Sequence, residues 1–343
     1  MKVNTSDWRC VVRFVVLVVS VLWIGVSTAA FAEDEASVKR WQPLVTEGAP
    51  HKRHEAAFIE CDGRFYLLGG RRIQPVDIFD PKTKTWTQGA QPPIEIHHFQ
   101  PVVMGHQIWL AGAMTGRYPR EKAVERVMVY DTRADEWSWG HTIPEERRRG
   151  GAGAVIHDGG LYLVCGIRNG HWDGWVSWLD RLDLATGQWE QLPDAPHVRD
   201  HFQTAVVGNK LYAAGGRKTS GVTKEVFSLT IPEVDVYDID RGEWSTLPEE
   251  SNLPTPRAGC FAISLDGRLL IAGGESSGQK TAHNEIESLD PETNQWETMS
   301  TFSTGRHGTG VIYYEGSLYT AAGSGGRGGG PELNTTERLP LDR

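Results

Sequence analysis

The feature that most constrains the fold of this chain is an Asp followed six residues later by a Trp, which occurs five times. The five tryptophans are separated by 51, 52, 55 and 52 residues and are Trp86, Trp137, Trp189, Trp244 and Trp296. The phrases, such as DPKTKTW and DIDRGEW, contain turn-forming residues that connect one β-strand to the next. A β-rich run precedes each Asp, and another strand ending in small residues precedes that run, so each unit contains four strands.

Repeats of about 50 residues built from four strands are typical of the blades of a β-propeller. The residues that carry the period also carry a resemblance to a known family. Glycine pairs follow a strand at Gly69-Gly70, Gly215-Gly216 and Gly273-Gly274, with a spaced Tyr or Phe and a Trp further along. This pattern resembles Kelch repeats over nearly the whole chain after residue 32, and the resemblance implies an all-β propeller.

The number of blades follows from the two ends of the repeat. A sixth unit begins at residues 316–323, and TERLP at residues 336–340 has the pattern of its third strand, but no further Asp and Trp phrase follows. A matching phrase stands near the other end, where EASVKRW places Glu35 six residues before Trp41. We therefore predict six blades, with the N-terminal strand around Trp41 completing the last blade beside residues 337–339. Such closure removes the free strand edges that an open propeller exposes.

The first 32 residues have the pattern of an export signal. A basic start precedes the apolar run FVVLVVSVLWIGV, and the small residues AFA end at Ala32. The apolar run is shorter than the roughly 20 residues that a membrane-spanning helix needs. We predict a signal peptide at residues 1–32, a propeller at residues 33–343, and a secreted or periplasmic protein that is free of the membrane after cleavage. An uncleaved anchor is the alternative.

Charge and cysteine content exclude several classes of function. The chain has 35 Lys and Arg against 44 Asp and Glu, and this net charge of −9 argues against nucleic acid as a partner, because phosphate binding needs a basic surface. Cys61, Cys165 and Cys260 stand at irregular spacings within strands, which matches neither a disulfide framework nor a zinc site. We therefore predict neither a cofactor nor a bound metal, and we expect a monomer.

Alignment of the six units shows an Arg at the start of the first strand in five of them: Arg53, Arg149, Arg199, Arg257 and Arg306. The second unit has Ile96 at this position. Two interpretations are open for the arginines. Their guanidinium groups either bind a ligand or serve the repeat itself by tying neighbouring blades together through carbonyl or carboxylate oxygens.

The two positions after each start differ between units, and this variation indicates a site. One position later stand His54, His97, Gly150, Asp200, Ala258 and His307. Two positions later stand Glu55, His98, Gly151, His201, Gly259 and Gly308. The phrases HHFQ and DHFQ, 103 residues apart, show the difference, because Phe-Gln belongs to blade packing whereas His98 and His201 are predicted to serve a site. The alternative is that these histidines only satisfy hydrogen bonds within the channel.

These residues are expected at one mouth of the central channel. The first strand of a blade lines the channel, and its start lies on the same face as the loop between the second and third strands. Those loops are uneven in length, and uneven loops give a symmetric scaffold an asymmetric site. We predict ligand contacts at thirteen residues: Arg53, His54, Glu55, His97, His98, Arg149, Trp172, Arg199, Asp200, His201, Arg257, Arg306 and His307.

The predicted function is binding of a polar or anionic ligand at this mouth, either a carbohydrate or a segment of another protein. Arg supplies forked donors and Trp supplies a stacking face for such ligands. The resemblance to Kelch propellers implies protein segments as partners on this face.

An enzyme is the alternative, since His, Glu and Asp together perform acid–base chemistry near neutral pH. The resemblance extends to two kinds of secreted Kelch-like enzyme. The galactose oxidase kind needs two Tyr, two His and a Cys, and the cysteines of this chain fall within strands instead. The sialic-acid mutarotase kind is an exported six-bladed propeller with acid–base residues and Arg in its mouth, which this chain matches in architecture. A metal held by His98, His201 and Glu55 is a third possibility, which no local spacing supports.

Overall fold

Six antiparallel sheets of four strands make up residues 40–341, the part of the chain that this computed structural model describes. The first strands of neighbouring blades contact one another in a closed ring, from blade 1 through blade 6 and back to blade 1. This arrangement is the all-β, six-bladed propeller that the repeat predicts. Residues 1–39, which include the predicted signal peptide and Glu35, lie outside the described residues.

The strands of the first three blades follow the meander expected from the repeat. Blade 1 consists of β2 (Ala56–Cys61), β3 (Arg64–Gly69), β4 (Asp77–Asp80) and β5 (Thr85–Gln88). Blade 2 consists of β6 (Gln100–Met104), β7 (Gln107–Ala111), β10 (Arg126–Asp131) and β11 (Glu136–Thr142). Blade 3 consists of β12 (Gly153–His157), β13 (Gly160–Ile167), β14 (Trp175–Asp183) and β15 (Trp189–Leu192).

Blades 4 to 6 repeat the same order. Blade 4 consists of β16 (Thr204–Val207), β17 (Lys210–Ala213), β18 (Asp235–Asp238) and β19 (Glu243–Thr246). Blade 5 consists of β20 (Phe261–Leu265), β21 (Arg268–Ala272), β22 (Glu285–Asp290) and β23 (Gln295–Thr301). Blade 6 consists of β24 (Val311–Tyr314), β25 (Ser317–Ala321), β26 (Thr336–Pro340) and, from the other end, β1 (Gln42–Pro43).

The remaining elements are short. The strands β8 (Met114–Thr115) and β9 (Lys122–Ala123) form a hairpin in the loop of blade 2, and two single-turn 3-10 helices span Glu145–Arg147 and Glu249–Ser251. No helix within residues 40–341 has the length and apolar character required to cross a membrane.

The ring closes as the sequence predicts. In β1, Gln42 pairs with Arg338 and Pro43 pairs with Glu337, so the N-terminal strand is the outer strand of blade 6. Trp41 is buried against Phe302 with the ring centroids 4.7 Å apart. Blade 6 therefore joins both ends of the described chain.

The Asp of the repeated phrase shapes the turn between the third and fourth strands. Asp80 Oδ1 accepts hydrogen bonds from the backbone N–H groups of Lys82 and Thr83 at 2.9 and 3.2 Å. Backbone N–H groups bond in the same way to Asp131, Asp183 and Asp290. These bonds stabilise the carboxylate and hold the pKa of all four side chains below the ordinary value. In blades 1, 2 and 4 the Trp after the turn packs on an aromatic residue of the third strand, as Trp86 does on Phe79 at 5.0 Å.

Candidate functional site

A belt of backbone hydrogen bonds runs around the channel just before the first strand of each blade. It is formed by the six aligned positions Glu55, His98, Gly151, His201, Gly259 and Gly308. The N–H group of each donates to the carbonyl of the preceding one at 2.5 to 3.4 Å, and Ala56 N–H closes the belt on Gly308 O at 3.0 Å. All six residues have a left-handed backbone with φ between 54° and 64°.

Because the backbone of the belt is left-handed, the residue at each belt position can be compared with the Gly that this conformation favours. Glycine adopts a left-handed backbone freely, whereas another residue there costs roughly 1–3 kcal/mol. Three copies of the repeat have Gly, and three have Glu55, His98 and His201 instead. These three positions therefore depart from the residue that the left-handed backbone favours.

The residues one position earlier meet the loops that follow the second strands. His97 pairs with Met114, Asp200 with Arg217 and His307 with Ser324 through isolated β-bridges. The starts of the first strands and these loops therefore lie at one mouth of the channel.

Three imidazole rings from different blades meet beneath this mouth. His98 and His201 come from the belt, and His171 comes from the loop between β13 and β14. Their ring centroids lie 4.5 to 4.9 Å apart, and the Nε2 atoms of His171 and His201 are 2.9 Å apart. Gly151, which lies between the two belt histidines, leaves room for them, since a Cβ there would lie 3.5 Å from His201 Nδ1.

Each of the three imidazoles has a carboxylate beside it. Asp200 Oδ1 bonds His201 Nδ1, and Glu121 Oε1 lies 3.0 Å from His171 Nδ1. Glu55 Oε2 lies 3.2 Å from His98 Nε2. We call these six residues the histidine cluster.

Further polar contacts hold the carboxylates in place. Thr219 donates its hydroxyl and its backbone N–H to Asp200 at 2.6 and 2.9 Å. Arg71 donates to Glu121 at 2.7 Å. The acids of the cluster are therefore fixed by neighbouring loops and do not move freely.

Burial sets the charge states of these groups. It lowers the pKa of His98 well below the ordinary value and, together with the nearby Arg71 charge, the pKa of His97 to about 3. Burial alone would raise the pKa of Glu55, but His307, His54 and His201 outweigh it and the pKa is lowered. The site therefore sets neutral imidazole beside ionised carboxylate.

A second polar group lies across the mouth. Glu275 accepts a hydrogen bond from Arg217 at 2.5 Å and another from Gly328 N–H at 2.6 Å, and its Oε2 lies 3.5 Å from His307 Nε2. Burial would raise the pKa of Glu275, but His307 and Arg217 lower it to about 2. His54 bonds Glu332 at 2.7 Å, so His54 and His307 both fasten the glycine-rich loop of blade 6.

The five arginines at the strand starts lie inside the blades and are fully buried. Each pairs with a carboxylate on the third strand of its own blade: Arg53 with Asp77, Arg149 with Asp180, Arg199 with Asp235, Arg257 with Glu287 and Arg306 with Glu337. They also donate to carbonyl oxygens of their own blade, as Arg53 does to Gly69 O at 3.0 Å. We assign them a structural role, and the tie that they form runs within a blade, whereas the sequence suggested a tie between blades.

Trp172 lies on the surface above the histidine cluster. The guanidinium of Arg120 lies 3.8 Å from the centroid of its ring. Both residues line a surface cleft of about 400 Å³ between the loops of blades 2 and 3, with Glu121, Lys122, Asn169 and Asp173. The channel itself contains a cavity of about 40 Å³ lined in part by Glu55, His98 and His201.

Sequence reasoning missed two residues of the cluster, His171 and Glu121. Both lie in loops between second and third strands that differ in length and sequence from blade to blade, so comparison between the repeats cannot find them. The available signal was a His inside RNGHWDGW, a loop already expected at the mouth.

The comparisons with known proteins agree with this architecture. The family model described as the KLHDC2/KLHL20/DRC7 Kelch-repeats domain matches residues 102–323, and the chain belongs to the Kelch-repeat family. The solved structure of YjhT has the same fold, with a TM-score of 0.72 and 16% sequence identity over 87% of this chain and 98% of that one.

Curated relatives share the repeats at low identity. Kelch-like protein terF of Aspergillus terreus is 27% identical over 83% of this chain and 64% of its own length. Human Kelch-like protein 23 is 26% identical over 79% of this chain and 45% of its own length. Alpha-scruin of Limulus polyphemus is 24% identical over 75% of this chain and 28% of its own length. The chain thus spans less than two thirds of the length of these relatives.

Proposed function

We propose that this propeller binds a protein partner, and that it holds an acidic segment of that partner across the channel mouth. The observation that carries the proposal is the charge of the loops between second and third strands. These loops, at residues 70–76, 112–125, 168–174, 214–234, 273–284 and 322–335, contain 11 Arg and Lys against 7 Asp and Glu. The whole chain has the opposite balance, with 35 against 44. A positive face on an acidic molecule attracts and orients an anionic partner.

Burial leaves this excess of positive charge in place. Glu121 and Glu275 are each 2% exposed and Arg217 is 1% exposed, so 10 basic and 5 acidic side chains of the loops are not buried. Arg72, Arg117 and Arg120 are exposed around the mouth. Their guanidinium groups are suited to forked hydrogen bonds with carboxylates.

Aromatic side chains supply apolar contact area on the same face. Tyr118 is 58% exposed, Trp175 is 36% exposed, and Trp172 lies against Arg120 at the edge of the cleft. Tyr, Trp and Arg are the residues that most often dominate the binding energy of protein interfaces. Membership in the Kelch-repeat family supports a protein segment as the ligand. The export pattern of residues 1–32 supports a partner outside the cytoplasm, which belongs to the same proposal.

An array of immobilised peptides that differ in net charge provides the test. Acidic peptides are expected to bind the chain, and their affinity, measured by fluorescence anisotropy, is expected to fall as the salt concentration rises. The triple variant Arg72→Glu, Arg117→Glu and Arg120→Glu should bind about 3-fold to 150-fold more weakly, because each of the three exposed ion pairs contributes about 0.2–1 kcal/mol.

The control variant combines Arg133→Glu with Arg241→Glu. Both arginines are about equally exposed, at 70% and 72% of their side chains, and lie in turns between third and fourth strands at the opposite end of the blades. This control should bind the acidic peptides like the parent. Equal binding of acidic and basic peptides, or equal losses in the two variants, would contradict the proposal.

A further inference from the structure

The hydrogen positions on two of the clustered imidazoles follow from their partners. His201 Nδ1 is hydrogen-bonded to Asp200 Oδ1, and His171 Nδ1 lies 3.0 Å from Glu121 Oε1 without hydrogen-bond geometry. A carboxylate only accepts, so an Nδ1 atom beside it is the nitrogen that carries the hydrogen when the ring has only one. With that arrangement the Nε2 atoms of the two rings, 2.9 Å apart, are both lone pairs. Such a contact requires a positive group between the two nitrogens, either a shared proton or a metal ion.

The third imidazole has a carboxylate beside its own Nε2 atom. His98 Nδ1 lies 2.6 Å from His97 Nδ1, so one of these two nitrogens donates to the other. His98 Nε2 lies 3.2 Å from Glu55 Oε2. A carboxylate only accepts, so without an ion this Nε2 carries a hydrogen, and a bound ion would take the place of that hydrogen.

We propose that His98, His171 and His201 bind one transition-metal ion through their Nε2 atoms. One ligand atom from each residue already lies within 4.8 Å of the others. Three nitrogens bound at about 2.0–2.1 Å in a tetrahedral site lie roughly 3.3 Å apart, so small rotations of the rings complete the geometry. Imidazole ligands suit zinc, copper, iron and nickel.

The surroundings of the ligands match those of known metal sites. A metal-binding His commonly donates its other ring N–H to a carboxylate or carbonyl, which fixes the ring and strengthens the ligand. Asp200 and Glu121 fill this role for His201 and His171, and His97 fills it for His98. Three neutral histidines bring no negative charge to a metal ion. Glu55, which lies beside His98, would supply one.

One feature of the channel supports a site with an open position. A cavity of about 40 Å³, lined in part by Glu55, His98 and His201 but not by His171, is large enough for a water-sized ligand. Three protein ligands with one free position are characteristic of catalytic zinc sites, whereas structural sites use four. This inference does not depend on the proposed peptide binding, because the three imidazoles are buried, whereas the peptide is proposed to contact exposed side chains of the loops. It departs from the expectation of no metal, since His171 could not be recognised from the repeat.

The test measures binding of the bare ion to the full chain, purified without a polyhistidine tag and treated with chelator. Calorimetric titration with Zn²⁺ should give one ion per chain with micromolar or tighter affinity. Titration with Co²⁺ should give the visible absorption bands of a four-coordinate site. His171→Gln should weaken binding by more than about 100-fold, because even the loss of an outer partner of a metal ligand weakens binding about 10–100-fold.

The matched control is His283→Gln. His283 is 5% exposed and is bonded to Ser276 and Glu285 in blade 5, so it is as buried as His171 but lies outside the cluster. This variant should bind Co²⁺ like the parent. His171 lies in a loop outside the belt, and circular dichroism verifies that its variant is folded. Failure of the parent to bind one ion, or parent-like binding by His171→Gln, would overturn the inference. Peptide binding is measured in a separate experiment, so the metal proposal and the peptide proposal can fail independently of each other.

Discussion

A single residue position decides how neighbouring blades join around the channel. At the belt, every copy of the repeat has a left-handed backbone, so the requirement comes from the fold and not from the side chain. A Cβ on Gly308 would lie 2.5 Å from the backbone nitrogen of Glu55, whereas one on Gly151 would lie 3.3 Å from the nitrogen of His201. The space available for a side chain at the belt therefore differs from one blade to the next.

We expect Gly308→Ala to destabilise the protein more than Gly267→Ala. Both glycines have a positive φ, of 64° and 75°, but a Cβ on Gly267 would meet no atom within 4 Å. Gly267→Ala should cost only the left-handed strain, about 1 kcal/mol. Gly308→Ala adds the overlap with Glu55, for a total of roughly 2–4 kcal/mol. Chemical denaturation measures the free energy of unfolding of both variants. Equal losses would contradict the expectation that the close contact between neighbouring blades requires Gly at position 308.

Comparison of the six aligned repeats, residue by residue, also determines which residues of the site the sequence can reveal. Glu55, His98 and His201 were found because six aligned copies show where a side chain replaces Gly. His171 and Glu121 were not found, because their position depends on how two loops fold against each other, and no internal copy exists for comparison. The arginines illustrate the reverse case, since a strongly repeated residue proved to belong to the scaffold.

At the level of the strand, the buried Arg and acid connect the first strand of a blade to its third. Blade 2 supports this interpretation, because both partners are replaced there. Ile96 stands in place of the Arg, and Met128 stands in place of the acid, and both are fully buried in one apolar cluster. The repeat thus uses either a paired ion or a pair of apolar side chains, and it never leaves one charge alone. This matches the rule that a lone buried charge costs more than either a good pair or an apolar replacement.

Blade 5 offers a direct measurement of this rule. Arg257 donates to Glu287 at 2.5 Å, with both side chains buried. Arg257→Ile or Glu287→Met alone should lower the free energy of unfolding by about 3–5 kcal/mol, because each leaves the other charge unpaired. The double variant, which copies blade 2, should lose clearly less than the sum of the two.

The control for this cycle is an exposed ion pair. Arg241 and Glu243, 3.4 Å apart and both about 70% exposed, should show additive effects of substitution near zero. Additive losses at Arg257 and Glu287 would instead mean that the two side chains stabilise blade 5 independently.

At the scale of the whole molecule, the fold was predictable because the evidence for it is repeated. Five Asp and Trp phrases fix the length of a blade, and the displaced phrase at Trp41 fixes the number of blades and the closure. The neighbours of each blade follow from chain order, because each blade packs on the blades before and after it. The loops carry no such repetition, so their contacts across the mouth required the structure.

The closure makes Trp41 important to the whole ring, since its strand is the only part of blade 6 that comes from the other end of the described residues. Trp41 is 3% exposed, packs on Phe302, and its carbonyl oxygen accepts from Ser303 Oγ at 2.7 Å. Trp41→Ala should lower the free energy of unfolding by about 3–5 kcal/mol, as expected for removal of a buried Trp.

The strand at which hydrogen exchange increases distinguishes a loss of ring closure from an ordinary loss of packing. Trp244 also lies on an outer strand, where its Nε1 donates to Pro193 O at 2.8 Å, but β19 continues from β18 through a short turn. Hydrogen exchange in Trp41→Ala should increase at the amides of β26, because loss of β1 leaves Glu337 and Arg338 paired only with β25 and turns β26 into an edge strand. In Trp244→Ala, β26 should remain as protected as in the parent. Unchanged exchange at β26 in Trp41→Ala would mean that the ring stays closed without its N-terminal strand.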